Sequence, residues 1–226
     1  MDNRPIGIFD SGYGGLTAVR ALRERMPFEN IIYFGDNGRA PYGGRTAEEL
    51  RHMTGQALAF LSEKGVKAIL AACGTVSSTA PELIEANSIP TLGVLEPVVR
   101  AVAALPGGGG IGVIATAASI RSGAYARRLE EMCPGRETVL VPCPDFVPLI
   151  ESGHTHREDP LLRQAAEKYL LPLREKKPAT LILGCTHYGL IRDTIQSLLG
   201  EEVLLLEASA CAAAELEQLL IREQLT

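Results

Sequence analysis

The chain has 226 residues, of which 46% are hydrophobic and 22% are charged. This balance is typical of a globular protein and excludes disordered and collagen-like chains. The formal net charge is -5, the Lys and Arg residues are dispersed, and Trp is absent, so a nucleic-acid-binding protein is not expected. No apolar stretch is long enough for a membrane span, and no export signal precedes the first strand, which predicts a cytoplasmic protein.

The cysteines also favour a reducing compartment. Their number is odd and their spacing irregular, so free thiols are expected rather than a disulfide framework. No CxxC or comparable spacing offers a metal site. The five cysteines are Cys73, Cys133, Cys143, Cys185 and Cys211.

The first elements alternate between strand and helix. Residues 6–9 are predicted to form a strand that ends at Asp10, and a helix is predicted from Leu16 until just before Pro27. Residues 30–35 form the next predicted strand, followed by a Gly- and Pro-rich loop over residues 36–45.

Thr46 and Glu49 have capping-box spacing, which predicts a helix through about residue 64. Its apolar face is expected to contain Leu50, Met53, Ala57, Phe60 and Leu61.

Residues 67–72 and 89–95 are predicted to be strands, the second ending at Glu96 and Pro97, and residues 208–223 a C-terminal helix. The alternation predicts the α/β class with mostly parallel sheets.

An internal repeat predicts two lobes of similar plan. After the PGGGG break at residues 106–110, IGVIAT repeats the form of IGIFDS 105 residues later. LILGCTH likewise matches ILAACGT, which aligns Cys185 with Cys73 at an offset of 112 residues. We interpret these echoes as an internal duplication.

The ends of the predicted strands have residues suited to proton transfer. Ligands of open parallel sheets bind outside the carboxyl ends of the strands, where Asp10, Cys73, Thr116 and Cys185 are expected. If the two lobes face each other, both cysteines reach one cleft. Two thiols on opposite sides of a tetrahedral carbon invert it when one removes a proton and the other delivers one.

Structural roles are the alternative for each of these residues. Cysteine is among the most buried residue types, and core packing is the interpretation preferred for Cys133, Cys143 and Cys211. Asp10 is also suited to capping a helix, and His187 to capping or to bonding a carbonyl. The glycines after Asp10 do not fit the dinucleotide-binding GxGxxG pattern, and Tyr42-Gly43-Gly44 is compatible with an ordinary turn.

Five ordered blocks between about Ile6 and Ser209 resemble glutamate racemases of the cofactor-independent aspartate/glutamate racemase superfamily. The blocks are IGIFDSGYGGLTAVRALRERMP, YFGDNGRAPYGGRT, AACGTVSS, FVPLIESG and ILGCTHYGLI. The resemblance implies two pseudo-symmetric α/β lobes with the active site between them, here residues 1–97 plus 207–226 and residues 98–206. It also implies interconversion of L- and D-glutamate without pyridoxal phosphate or metal, and supply of D-glutamate for bacterial peptidoglycan.

By the same resemblance, Cys73 takes the α-proton from D-glutamate and Cys185 takes it from L-glutamate. Asp10 and His187 assist the thiols on their respective sides, and Glu151 supports His187. The expected partner is the small-molecule substrate, with no cofactor, no nucleic acid and no membrane; regulation by another small molecule stays open, and the family favours a homodimer. The implied substrate-binding residues are Asp10, Ser11, Tyr42, Gly43, Gly74, Thr75, Thr116, Thr186 and His187.

The chain departs from the family pattern at two positions. Gly74 stands where Asn commonly follows the first cysteine, and Glu207 is shifted from a common aspartate. Two other functions stay open at this point: a racemase of aspartate or another small acidic compound, and a non-catalytic binding or regulatory protein on the same scaffold.

Overall fold

The computed structural model describes residues 2–226, which form two four-stranded parallel sheets flanked by helices. The first sheet has the strand order β2-β1-β3-β4 and the second β6-β5-β7-β8. The strands are β1 (Ile6–Asp10), β2 (Ile31–Gly35), β3 (Ala68–Ala71), β4 (Thr91–Gly93), β5 (Ile111–Ala115), β6 (Thr138–Pro142), β7 (Thr180–Leu183) and β8 (Leu204–Glu207). The predicted α/β class is confirmed.

The two sheets have the same topology. In each, the first strand in sequence pairs with both the second and the third, and the third pairs with the fourth. The register aligns Phe9 of β1 with Ala71 of β3, and Ile114 of β5 with Leu183 of β7. Cys73 and Cys185 therefore follow equivalent strands, as the sequence echoes predict.

The helices cover the faces of both sheets, and one six-residue 3₁₀ helix, Thr186–Ile191, follows β7. The α-helices are α1 (Leu16–Arg25), α2 (Ala47–Glu63), α3 (Gly74–Thr79), α4 (Pro81–Glu85), α5 (Leu95–Ala104), α6 (Ala117–Arg121), α7 (Ala124–Met132), α8 (Phe146–Glu151), α9 (Pro160–Lys176), α10 (Arg192–Leu199) and α11 (Ala208–Arg222). Within residues 2–226, no helix has both the length and the apolar character that crossing a membrane requires.

Helix α2 begins as its sequence predicts. Thr46 Oγ1 accepts from the Glu49 amide, and Glu49 Oε2 accepts from the Thr46 amide at 2.9 Å, which closes the capping box. Phe60 is the least buried member of the predicted apolar face, with 37% of the residue exposed. Its ring packs on Phe34 at 4.9 Å and lies beneath the Lys64 ammonium, at the edge of the buried face.

The strand expected over residues 89–95 is shorter than predicted. Only Thr91–Gly93 pair with β3, and helix α5 begins at Leu95. Proline is tolerated in the first turn of a helix, where its missing N–H has no intrahelical acceptor, so Pro97 does not stop α5. The apolar run therefore contains both a strand end and a helix start, which its hydrophobicity does not distinguish.

One core joins the two lobes. Ile6 and Ile8 on one face of the first sheet belong to the same buried cluster as Ile111 and Val113 of the second, together with residues of α5, α7 and α11. The opposite faces have their own cores, around Phe9 beneath α2 and around Phe146 beneath α9. Helix α11 packs against α1 and α5.

Candidate active site

The ends of β1, β3, β5 and β7 border one cavity of about 340 Å³. Cys73, which follows β3, and Cys185, which follows β7, both line it, so each sheet contributes one thiol. The other lining residues are Ser11, Ala40, Pro41, Tyr42, Gly43, Gly44, Gly74, Thr75, Thr116, Ala117, Arg121, Cys143, Pro144, Val147, Pro148, Glu151, Thr186 and His187.

Cys73 lies at the N-terminus of helix α3 and is only 4% exposed. Its Sγ is 3.5 Å from Ser11 Oγ. Burial is the largest cause that raises the pKa of the Cys73 thiol from 9.0 to about 11; the nearby Asp10 carboxylate also raises it, while Ser11 and the amides of Thr75 and Val76 oppose the rise. This thiol is therefore protonated at neutral pH.

Cys185 precedes the 3₁₀ helix and is paired with an imidazole. Its Sγ lies 3.8 Å from His187 Nδ1, and His187 Nε2 lies 3.1 Å from Glu151 Oε1. A carboxylate accepts hydrogen bonds, so the geometry places the imidazole proton on Nε2 and leaves Nδ1 as the atom that faces the thiol. Burial raises the pKa of the Cys185 thiol strongly, and Cys73 and Asp10 add to that rise.

Asp10 is fully buried at the end of β1. Its Oδ2 accepts from the Gly12 amide at 3.0 Å, and its Oδ1 accepts from Thr186 Oγ1 at 3.4 Å, which is a bond between the two lobes. Burial raises the pKa of the Asp10 carboxyl, whereas the Gly12 amide and the positive charge that His187 can carry lower it.

Two glycines explain the glycine-rich segment after Asp10. A Cβ atom on Gly14 would lie 2.3 Å from His187 Nδ1, and one on Gly15 would lie 2.4 Å from Asp10 Cβ. Both distances are shorter than any ordinary contact, so the absence of a side chain lets the loop pack against His187 and Asp10. The segment serves close packing around the site.

Threonine hydroxyls from the two lobes meet in the same cavity. Thr75 Oγ1 and Thr116 Oγ1 are 2.9 Å apart, and Thr116 also caps helix α6 by accepting from the Ser119 amide at 3.2 Å. A Cβ atom on Gly43 would be 3.3 Å from Thr116 Cβ, so the loop after β2 lies against the same residue. These hydroxyls can donate to or accept from a polar ligand.

The Tyr42 hydroxyl is already engaged. It donates to the Asp36 carboxylate, which also accepts from Arg39 Nε at 2.7 Å. Tyr42 is buried and lines the cavity, so this side chain fastens the loop of residues 36–45 and faces the ligand space with its ring. Asp36 and Arg39 were not among the predicted site residues.

The two cysteine-bearing segments are in backbone contact at Gly74. A Cβ atom there would lie 2.1 Å from the Gly184 carbonyl oxygen and 3.8 Å from Cys185 Cα. Only glycine permits this approach without a shift of one segment. The departure from the common Asn therefore accompanies a close fit between the lobes.

Arg121, in the last turn of α6, is a cavity residue that sequence reasoning missed. It lies outside the matched blocks, and its one signal is its position just after the end of strand β5. Cys143 also lines the cavity, but it is fully buried. Tyr188 Oη donates to the Cys143 carbonyl at 3.0 Å, which fits the predicted packing role. Among residues 2–226, no group of three His, Cys, Asp or Glu side chains is arranged to hold a metal ion.

Two α/β lobes that each place a thiol in one buried cavity define a class of enzyme, an isomerase that acts by proton transfer. The chain matches the Asp/Glu/hydantoin racemase family over residues 17–216 and belongs to that family.

Within this family, the chain is similar to glutamate racemases, both in sequence and in structure. A glutamate racemase of Streptococcus gordonii is 42% identical over 97% of this chain and 83% of its own length. The crystal structure of a Francisella tularensis glutamate racemase in complex with D-glutamate has a TM-score of 0.92 at 40% identity, and the match covers 100% of this chain and 84% of that one. A Bacillus anthracis glutamate racemase has a TM-score of 0.91 at 34% identity, with coverage of 100% and 84%. The predicted family and the predicted glutamate racemase function are confirmed at this level.

Proposed function

We propose that this protein interconverts L- and D-glutamate by moving the α-proton between Cys73 and Cys185. The observation that carries the proposal is the placement of one thiol from each sheet in a single buried cavity. The segments that bear the thiols touch at Gly74 and Gly184, so a small substrate held there is within reach of both lobes.

The reaction uses each thiol in both of its protonation states. Starting from D-glutamate, the Cys73 thiolate accepts the α-proton, the Cα–H bond breaks, and its electron pair stays on Cα. The Cys185 S–H bond then breaks and its proton is added to the opposite face of Cα, which gives L-glutamate. The reverse reaction exchanges the two roles, so charge and protons balance over a cycle.

The resemblance to the family assigns the roles of the polar groups around the thiols, and the contacts described above support these roles. Asp10 and His187 assist Cys73 and Cys185 respectively, and Glu151 holds His187 through the 3.1 Å contact at Nε2. The resemblance also assigns Asp10 to the substrate ammonium; in this structure its carboxylate is fully buried and is not among the groups that line the cavity.

Hydroxyl groups and backbone amides near the starts of α3 and the 3₁₀ helix suit the two carboxylates and the developing negative charge. Gly74, Thr75 and Thr186 lie at those two helix starts. Substrate binding is also assigned to Ser11, Tyr42, Gly43 and Thr116, which line the cavity from other segments, Tyr42 with its hydroxyl bonded to Asp36.

Glutamate is favoured as the substrate because relatives of 34–42% identity are glutamate racemases, and one was crystallised with D-glutamate. The similarity further supports a bacterial, cytoplasmic enzyme that supplies D-glutamate for peptidoglycan. A homodimer is proposed in addition, as the assembly expected from the family resemblance. The lobe boundaries remain residues 1–97 plus 207–226 and residues 98–206. Light scattering of the purified protein tests the dimer.

Proton NMR in D₂O tests the reaction directly. The purified protein is incubated with L-glutamate or with L-aspartate, without pyridoxal phosphate and with excess chelator. We expect loss of the α-proton signal together with loss of optical rotation for glutamate alone.

The other outcomes are equally informative. Exchange with aspartate alone would retain the two-thiol chemistry and overturn the substrate. No exchange with either amino acid would contradict the proposed activity and favour a binding protein on this scaffold.

A further inference from the structure

A groove rich in arginine adjoins the active-site cavity. Its volume is about 360 Å³, and it lies between the N-terminal part of α2, the end of α3, the start of α4 and the region around α6. Arg45, Arg51, Arg121 and Arg127 line it, and we call it the arginine groove. Arg121 lines the active-site cavity as well, so the two spaces share a wall.

The groove has more cations than nearby carboxylates. Arg51 pairs with Glu82 at 2.7 Å, and Arg45 lies 3.5 Å from Glu49. Arg127 donates to the Ser122 carbonyl at 3.0 Å and has no carboxylate partner in the described part of the chain. Arg121 is exposed and makes neither an ion pair nor a side-chain hydrogen bond with any of residues 2–226. Two guanidinium groups are thus free to meet an anion.

The positive charge of the arginine groove contrasts with the negative charge of the rest of the molecule. The chain has a net charge of -5, and the cavity itself contains the carboxylate of Glu151 with that of Asp10 behind it. Glutamate has two carboxylates and one ammonium near neutral pH, so it approaches as an anion. A cluster of one charge sign at the mouth of a cleft raises the local concentration of an oppositely charged ligand.

We propose that the arginine groove is an anion-binding entrance, which captures a carboxylate of incoming glutamate and passes it to the cavity through Arg121. This inference rests on the proposed function. The ligand class is a small carboxylate, held at the surface by guanidinium groups that form paired hydrogen bonds with it.

Steady-state kinetics of racemisation over a range of ionic strength test the entrance. Arg121→Gln is expected to lower kcat/KM about fivefold at low salt, mostly through KM, and the loss is expected to shrink below about twofold near 0.5 M salt as screening increases. Arg121→Lys keeps the charge and is expected to recover most of the activity. Arg127→Gln, within the groove but outside the cavity, is expected to have a smaller, salt-sensitive loss.

Arg23→Gln is the matched control, since it removes one exposed positive charge from helix α1 that lines neither space. If Arg121→Gln and Arg23→Gln have the same kcat/KM and the same salt dependence, the proposal that the arginine groove is an anion-binding entrance is overturned. A loss confined to kcat and insensitive to salt would also overturn it. An effect of Arg121 without any effect of Arg127 would overturn the groove as the binding surface.

Inorganic sulfate supplies an independent probe. Added at constant ionic strength, it is expected to raise the KM of the wild-type protein more than that of Arg121→Gln, and equal effects would count against the entrance. A wild-type protein inactive on glutamate would refute the proposed function itself, which is a different result from an active protein whose arginine variants behave normally.

Discussion

The two halves of the active site have the same strand plan but different local support. Cys73 follows β3 and begins the α-helix α3, with the Ser11 hydroxyl 3.5 Å from its sulfur. Cys185 follows the equivalent strand β7 but leads into a 3₁₀ helix, and its sulfur faces His187, which contacts Glu151. The duplicated sheet thus sets where each thiol lies, and the following turn sets which groups surround it.

The difference extends to the ionisation of the thiols. Burial raises the pKa of both thiols, and the Asp10 carboxylate adds to both rises. The Ser11 hydroxyl opposes the rise at Cys73, whereas the pKa of Cys185 is raised by the neighbouring Cys73 and lowered by the His187 amide and the Thr186 hydroxyl. The imidazole of His187 lies on the Cys185 side, with Nδ1 3.8 Å from the Cys185 sulfur.

Removal of either thiol is expected to have the largest effect. Cys73→Ala and Cys185→Ala should each lower racemisation by about 10³-fold or more, because each removes the acid and base on one face of Cα. Polarimetry measures the loss, and Cys211→Ala, a half-buried cysteine outside the cavity, is the control.

Exchange in D₂O then separates the faces. Any exchange left in Cys185→Ala should be confined to D-glutamate, and any left in Cys73→Ala to L-glutamate. The reverse assignment would exchange the roles of the thiols, and full activity of either variant would contradict the two-thiol mechanism.

Loss of the His187 and Glu151 support should slow the proton transfer at Cys185 and leave the transfer at Cys73 unchanged. Glu151→Gln and His187→Asn are expected to lower kcat/KM by about 10- to 100-fold, with exposed Glu158→Gln as control. The enantiomers have equal free energy in water, so kcat/KM must fall equally in both directions. The slower transfer at Cys185 should instead appear as a larger α-deuterium isotope effect with L-glutamate, from which Cys185 removes the proton. Equal isotope effects for both enantiomers would contradict a specific role of His187 and Glu151 at Cys185.

The contact between the lobes at Gly74 gives a steric test. A methyl group there would meet the Gly184 carbonyl oxygen at 2.1 Å and separate the segments that bear the thiols. We expect Gly74→Ala to lower kcat/KM about tenfold, because small misplacement of reacting groups is costly. Gly55→Ala in α2 is the control, since a Cβ there meets nothing within 4 Å and activity should be unchanged. Similar activities of the two variants would show that the close approach is unnecessary.

The raised thiol pKa values predict a smaller effect on stability at high pH. The folded state holds the Cys73 proton more tightly than the unfolded state, so the free energy of unfolding should fall as pH rises from about 9 towards about 11. The slope from this group is at most about 1.4 kcal/mol per pH unit. Urea denaturation across this range measures it, and Cys73→Ala should reduce the slope. An unchanged slope would contradict the assignment to Cys73.

Much of the fold follows from local sequence patterns. The strand 6–9, the capping box at Thr46 and the C-terminal helix agree with the structure to within a residue or two, because period and capping are local properties. The pairing of Cys73 with Cys185 could be predicted because the two halves repeat. Local patterns could not predict that the fourth strand is as short as Thr91–Gly93 or that Phe60 is partly exposed, because both depend on packing partners distant in sequence.

The sequence by itself determined the α/β class, the duplicated strand plan, the family and the identity of the two thiols, since each is encoded in contiguous residues. Tertiary structure alone decided how closely the lobes meet at Gly74, that the Tyr42 hydroxyl is bound by Asp36, and that Arg121 borders the cavity. These facts depend on the distance between chain segments from different lobes or loops. That distance is set by packing of the shared core, which no short stretch of sequence specifies.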